Sequence, residues 1–353
     1  MSLLYSDIEE ELRDSVRSLL ASRSPAAAVL KRTESDEPYD RGLWRALAAD
    51  VGCAGFAVPE KFGGAGASWR EVATVAEEFG RAVAPVPYLG AAMATAALLA
   101  AGDEELLPSV AAGETTAVLV VPFSTPPGAS PRDMHVEGGS LTGEVTSVAD
   151  VLGADVLLVP TTEGLFAVDA ADAHLTPVTS LDLTRRLADV SFASAPARRV
   201  ADTAGPALAT GAVLLASEQL GIAQWCLDTT VEHLKTRYQF GRPVGSFQAL
   251  KHRLADLWVQ VTQVRAVARY AAGCLADSDP DLPVAVALAQ AHCAPVAVRA
   301  AEECVQLHGG IGFTWEYPAH LYLKRAKADA IGLGTPERHR AALAALIDLP
   351  RSR

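Results

Sequence analysis

Apolar positions recur at helical spacing through the first third of the chain. They switch to short strand-like runs in the middle and return to helical spacing up to the end. Ile8, Leu12, Val16, Leu19 and Leu20 predict a helix over residues 5–31. Leu43, Leu47 and Val51 repeat the signal over Asp40–Val51, and Ser68 is placed to cap a helix that shows Val72, Val75, Ala76 and Phe79 on one face. Residues 88–112 read as one further helix, so residues 1–113 are expected to form an all-α domain. The period then changes. Thr115–Val121, Ser140–Val145, Val156–Val159, Leu165–Val168, His174–Val178 and Leu187–Phe192 are short runs rich in Val, Thr and Leu, separated by Gly, Pro or Asp. They predict a middle antiparallel β domain over 114–203, a small barrel or sandwich. From Pro206, Val213, Leu220, Leu227 and Leu234 recur every seven residues. So do Leu250, Leu257, Val264 and Ala271, interleaved with Leu254, Val261, Ala268 and Leu275. Seams of this length predict long helices packed antiparallel. An Ala-rich helix over about 282–308 and two more over 318–331 and 336–348 complete a C-terminal bundle over 204–353. The class is α+β, in the order α domain, β domain, α bundle.

Composition narrows what such a chain can do. Half of the 353 residues are apolar, enough for a sizeable core. The formal net charge of −12 excludes a nucleic-acid surface but leaves room for local cationic pockets. Five cysteines (Cys53, Cys226, Cys274, Cys293 and Cys304) form no CxxC pair and lie mostly in apolar helical stretches. They read as small core residues in a reducing compartment. The first residues turn acidic at once, which is not a signal peptide, and no stretch of about 20 uninterrupted apolar residues predicts a membrane span. The expectation is a cytoplasmic protein.

Two stretches concentrate chemistry. Arg237-Tyr238-Gln239-Phe240-Gly241-Arg242-Pro243, followed by Phe247-Gln248, sets a fixed cation, aromatic rings, a tight turn and an amide within a dozen residues. Guanidinium binds phosphate through a forked pair of donors, and an amide both donates and accepts. The bland alternative is that Arg237 caps helix carbonyls while the phenylalanines are core. Gln306-Leu307-His308-Gly309-Gly310 adds a helix end whose glycines would let a ligand touch backbone, or simply stop the helix. The Gly-rich stretch Gly52–Gly66 lacks GK[ST] and a strong preceding strand, so it predicts a structural turn.

The strings RYQFGRPVGSFQALKHRLADL and VQLHGGIGFTWEYPAHLYLKRAK, with Glu77-Glu78-Phe79-Gly80-Arg81 and the α–β–α order, closely resemble the acyl-CoA dehydrogenase family of flavoproteins over essentially the whole chain. The length suits a short bacterial branch. The resemblance implies α,β-desaturation of an acyl-CoA thioester, with FAD as cofactor and an electron-transfer flavoprotein as electron acceptor. It also implies a tetramer in which the adenosine-diphosphate half of each FAD reaches a neighbouring subunit's bundle. The positions matching that half are Arg237, Phe240, Phe247, Gln248, Gln306, Gly309 and Gly310, with Thr335 in the stretch where the family carries its base.

The base itself is missing. In Gly332-Leu333-Gly334-Thr335, Leu333 stands where the family has glutamate, and a minority position for that glutamate falls on Gly211. Glu218 lies on about the same face as Gly211 but roughly 10 Å along the helix, a distant substitute. The loop that flanks the flavin is reduced to Thr125-Pro126-Pro127-Gly128, and its Trp-Ile-Thr strand falls on Ser147-Val148-Ala149. Residues that would serve a neighbour's FAD are kept, and those that would serve the chain's own flavin are lost. The reading favoured by this pattern is one subunit of an α₂β₂ acyl-CoA dehydrogenase, completing the FAD site of a homologous partner that carries the base. Some bacterial relatives of this plan act on bulky steroid side-chain thioesters. The alternatives are a self-sufficient homotetramer with Glu218 as base and a flavin-free structural paralogue. Asp182-Leu183-Thr184-Arg185-Arg186 reads as a salt-bridged surface turn.

Overall fold

The computed structural model describes residues 2–37 and 39–349. The N-terminal part is helical. α1 (Asp7–Arg23) opens on a capping box between Ser6 and Glu9 and ends at Ser24. Pro25 follows and has no N–H to continue it, so the single helix expected over 5–31 is two, with α2 at Ala26–Thr33. α3 (Arg41–Arg45) runs on into a π-helical turn at Ala46–Asp50. α4 (Trp69–Ala82) starts at a second capping box, Ser68 with Glu71. The helix expected over 88–112 breaks at Gly102, which sits at φ +64 as a left-handed cap, leaving α5 (Tyr88–Ala101) and α6 (Leu107–Ala111). The Gly-rich stretch is a structural turn: a Cβ at Gly64 would stand 2.1 Å from the Val58 carbonyl.

Two four-stranded sheets follow. One has the order β1 (Ala117–Leu119), β4 (Val156–Thr161), β5 (Gly164–Asp169), β8 (Arg198–Ala201). The other has the order β2 (His135–Glu137), β3 (Ser140–Ala149), β7 (Leu187–Pro196), β6 (Ala173–Val178). Leu157, Val159 and Phe166 of the first meet Leu141, Val145 and Val190 of the second in one apolar layer. The domain is not wholly antiparallel, because β1 pairs parallel with β4. After β1 the chain leaves through a proline-rich loop and crosses to the other sheet before returning, and only such a crossover permits a parallel pair.

The bundle consists of α7 (Ala207–Thr236), α8 (Gln248–Ala276), α9 (Leu282–His308), α10 (Ala319–Asp329) and α11 (Pro336–Leu346). α7 also packs on α4. Gly221 makes that approach possible, since a Cβ there would lie 1.8 Å from the Glu77 carbonyl. One hydrophobic core therefore runs through both helical parts. All five cysteines are buried and free within it. The stretch Leu282–Phe313 is long and apolar enough to cross a membrane, yet α9 within it lies among the other bundle helices with its Ala and Val positions in the core.

Candidate functional site

Arg237 ends α7 with an extended backbone, and the chain turns through a two-stranded hairpin, β9 (Tyr238–Gln239) and β10 (Arg242–Pro243). Both tip residues are left-handed, Phe240 at φ +54 and Gly241 at φ +74. That is the geometry of a two-residue hairpin turn, with Phe in a position that usually takes Asn or Gly. Phe240 is 90 % exposed, so it is not the core residue that the bland reading allowed. It meets Phe247 edge-on at 6.2 Å, and the Arg242 guanidinium lies 3.8 Å from the Phe247 ring centre. Gln248 begins α8. Among the described residues, the exposed side chains of Arg237 and Gln248 have no hydrogen-bond or ion-pair partner.

The second stretch closes α9. Gly309 lies at φ +63 and ψ −139, a conformation open essentially to glycine alone. A Cβ at Gly309 or Gly310 would meet nothing within 4 Å, so this backbone faces open space, with exposed Gln306 beside it. His308 turns inward. Its Nδ1 contacts the Cys304 carbonyl at 2.6 Å and must be the donor, because a carbonyl only accepts. The His308 ring lies 4.2 Å from His233 and 4.4 Å from Tyr317. His233 is one turn before Arg237 and His308 adjoins Gly309, so this contact brings both stretches to one end of the bundle. Thr335 is not there. It caps α11, accepting from the Arg338 N–H, beyond the 11-residue α10, which spans roughly 16 Å.

The Gly332–Gly334 turn is a different environment. Leu333 is 0 % exposed at φ +53. Its N–H donates to the Phe123 carbonyl at 2.7 Å, and its carbonyl accepts from His339 Nε2 at 2.9 Å. A Cβ built at Gly211 would stand 3.0 Å from Leu333 Cδ1 and 2.4 Å from Met93 Sδ. The two positions at which the sequence resemblance looks for a base therefore converge, on α7 and on this turn. Leu333 and Met93 fill the space between them. This contact offers no titratable side chain.

Glu218 lies beyond, in a buried ionic cluster. Its Oε2 accepts from Arg185 Nη2 and its Oε1 from Arg325 Nη1, each at 2.6 Å. Arg185 Nη1 also donates to Asp329 at 2.9 Å, while Arg325 Nε pairs with Asp182 at 2.6 Å and both Nε and Nη2 donate to the Thr184 hydroxyl. Asp150 lies 3.9 Å from Arg185 Nε, accepts from the Tyr39 hydroxyl at 3.0 Å and accepts from the Gly90 N–H at 2.8 Å. The turn at 182–186 is thus no exposed surface turn: Asp182, Thr184 and Arg185 are buried by partners far away in sequence. Burial alone would raise the Glu218 carboxyl, but the two guanidiniums outweigh it and hold it below the usual range. With both oxygens engaged, it is a counter-ion and a poor proton acceptor. Burial, and then repulsion by Glu218, push Asp329 well above the carboxylate range, and burial raises Asp150. With four carboxylates facing two guanidiniums, the excess negative charge raises the proton affinity of Asp329 most.

Against known proteins, residues 6–114 match the model of the acyl-CoA dehydrogenase N-terminal domain and residues 201–347 that of the C-terminal domain. The chain is 40 % identical over 331 residues to acyl-CoA dehydrogenase IpdE2 of Mycobacterium tuberculosis, covering 92 % of each. The chain belongs to the acyl-CoA dehydrogenase family. Its fold superposes on a chain of the ChsE4-ChsE5 complex from Mycobacterium tuberculosis with a TM-score of 0.90, at 27 % identity and 100 % coverage of each. It superposes on a chain of the Tcur3481-Tcur3483 steroid ACAD with a TM-score of 0.86, at 30 % identity, covering 97 % and 98 %. For an acyl-CoA dehydrogenase chain the division is clear. The hairpin and the α9 end carry an unpaired guanidinium and unpaired side-chain amides, while the turn at Leu333 is apolar and sealed.

Proposed function

We propose that this chain is one subunit of a heteromeric, FAD-dependent acyl-CoA dehydrogenase and completes the flavin site of a homologous partner that supplies the base. One observation carries the reading: the Arg237 and Gln248 side chains have no partner among the described residues and, with the exposed Gly309-Gly310 backbone, face outward, while Leu333 and Met93 close the base position. The two-protein ChsE4-ChsE5 and Tcur3481-Tcur3483 assemblies among its structural relatives support a heteromeric α₂β₂ plan. The steroid relative supports a bulky, steroid-derived acyl-CoA thioester as substrate; a cytoplasmic setting and an electron-transfer flavoprotein downstream belong to the same proposal.

FAD would supply hydride acceptance from the β carbon while the partner's base takes the α proton. The residues of this chain fit the non-reacting half of that cofactor. Arg237 presents forked donors to a diphosphate, Gln248 and Gln306 offer amides, and Gly309 and Gly310 bare the backbone. Phe240 and Phe247 would shield that end from water. Their contribution is affinity and orientation, by holding the dinucleotide tail so that the reactive ring sits correctly in the other subunit.

The test is co-expression with the homologous subunit and a flavin count. The isolated chain should bind FAD poorly and show no turnover, and the complex should be yellow and active. Stoichiometric flavin and turnover in the isolated chain would sink the proposal.

A further inference from the structure

Behind the hairpin and the α9 end, three rings meet that take no part in the binding described above. His308 is 5 % exposed and touches both His233, at 4.2 Å, and Tyr317, at 4.4 Å, each tilted from it by 32°. The rings are pinned to both long helices. Tyr317 shares a hydrogen bond of 2.9 Å with the Thr229 hydroxyl on α7, and His308 Nδ1 donates to the Cys304 carbonyl on α9. His308 Nε2 is buried without a partner. Among the described residues no carboxylate pairs with either imidazole. The titratable or charged groups set against them come from three elements. Arg237 lies one turn beyond His233 on α7, and Cys304 of α9 places its Sγ 3.6 Å from His308 Nδ1. Cys226 of α7 stands against Cys304, and Tyr317 comes from the loop after α9.

Two imidazoles in contact take a first proton readily and a second against repulsion. Burial alone would lower the proton affinity of His308, but the Cys304 sulfur and carbonyl outweigh it and raise it. Burial first, then His308 and Arg237, lower that of His233. The first proton therefore belongs to His308. The second, on His233, is held less well in the contact than in an opened chain, where the ring titrates at 6.5. A histidine lowered in this way contributes stability that is present above 6.5 and lost as pH falls below it. His308 has the opposite sign, so the contact tolerates one proton and is strained by two.

We propose that the His233–His308 contact is a pH-sensitive latch, which ties the hairpin end of α7 to the Gly309-Gly310 end of α9 near neutrality and loosens when both rings are charged. The latch stands on a contact within this chain. That its loosening also frees the FAD tail rests on the heteromeric reading.

Hydrogen exchange on the full chain, read by mass spectrometry and corrected for the intrinsic effect of pH, tests it. From pH 7.5 to pH 5.5, protection over residues 234–244 and 305–312 should fall about tenfold, the factor that one unit of proton affinity carries, while α4 keeps its protection. His233→Phe keeps a flat ring, removes the second charge and should hold both segments closed at pH 5.5. No loss of protection in wild type, or an equal loss in His233→Phe, would overturn the latch. Should His233→Phe fail to fold, the wild type still decides. With labelled imidazoles, NMR should show His308 and His233 titrating about one unit apart or more, and two rings titrating together near 6.5 would overturn the proposal. Flavin retention in the purified complex at the two pH values reports separately. Opening without loss of flavin upholds the latch and counts against the placement of the FAD tail at this end.

Discussion

The hairpin end of the bundle and the Gly332–Gly334 turn lie at opposite ends of α10 and solve opposite problems. At the hairpin, a guanidinium and two side-chain amides are left without partners, two glycines are open to solvent, and an aromatic side chain is held in solvent on a left-handed backbone. At the turn, the N–H, carbonyl and side chain of Leu333 all find partners inside the fold. A protein leaves groups unsatisfied where something else is to satisfy them, and it closes the places where nothing enters. The difference separates a surface kept for a ligand from a site given over to packing.

The largest effect should come from the cluster under the closed end. Glu218→Ala would take the shared counter-ion from Arg185 and Arg325 in the core and should cost about 3–5 kcal/mol in chemical denaturation. Asp329→Asn should cost less at neutral pH, because burial and the Glu218 charge push its carboxyl toward the protonated form. The sign follows from linkage. A carboxyl raised on folding contributes stability that is lost as pH climbs from its unfolded value, 3.8 for aspartate, through the folded one. Asp329→Asn should therefore flatten the fall in stability as pH rises above the unfolded aspartate value of 3.8. Equal losses for the two variants at pH 7 would show that Asp329 is ionised.

Next in size is Leu333→Glu, which restores the family's carboxylate by name. It should not restore activity. The new side chain would enter an apolar slot against Met93, and burial would raise its proton affinity. The cost should be about 2–4 kcal/mol and should grow with pH, for the linkage reason given above. Dehydrogenation by this chain alone after that single change would mean that the slot is not closed to substrate.

The sequence makes these two ends legible to different depths. The heptad seams place α7 and α8, and the Ala-rich run places α9, because a buried face leaves a periodic or compositional trace. The hairpin and Gly309-Gly310 are legible because their chemistry lies in consecutive residues. The loss at Leu333 is visible too, but not that Gly211 and Met93 meet it, since nothing local links α5, α7 and the turn. The ionic cluster is the clearest miss. Asp182-Leu183-Thr184-Arg185-Arg186 is polar enough to read as surface, and only the fold brings Asp150, Glu218 and Asp329 to it. The parallel β1–β4 pair is hidden likewise, as the strand period does not encode direction.

A smaller effect is expected at the open end. Arg237→Gln should leave Tm unchanged, because the side chain makes no hydrogen bond or ion pair among the described residues. In the complex it should weaken FAD retention about tenfold to a hundredfold, as a charge-assisted contact to phosphate would. A fall in Tm of the isolated chain with no change in flavin retention would assign Arg237 to folding, and the contrast between the two ends would collapse.

The smallest change should separate strain from contact within that open end. Phe240 holds a left-handed conformation that costs a non-glycine residue free energy, and at 90 % exposure little burial offsets it. Phe240→Gly should therefore leave the isolated chain as stable as before or more so, by up to about 1 kcal/mol. Phe240→Leu keeps the strain but removes the ring. If the ring covers a bound dinucleotide, both variants should lose flavin from the complex faster than wild type, by a few-fold and by similar factors. Should only Phe240→Gly release flavin faster, the turn's rigidity would be the functional element, and the ring would be incidental to it.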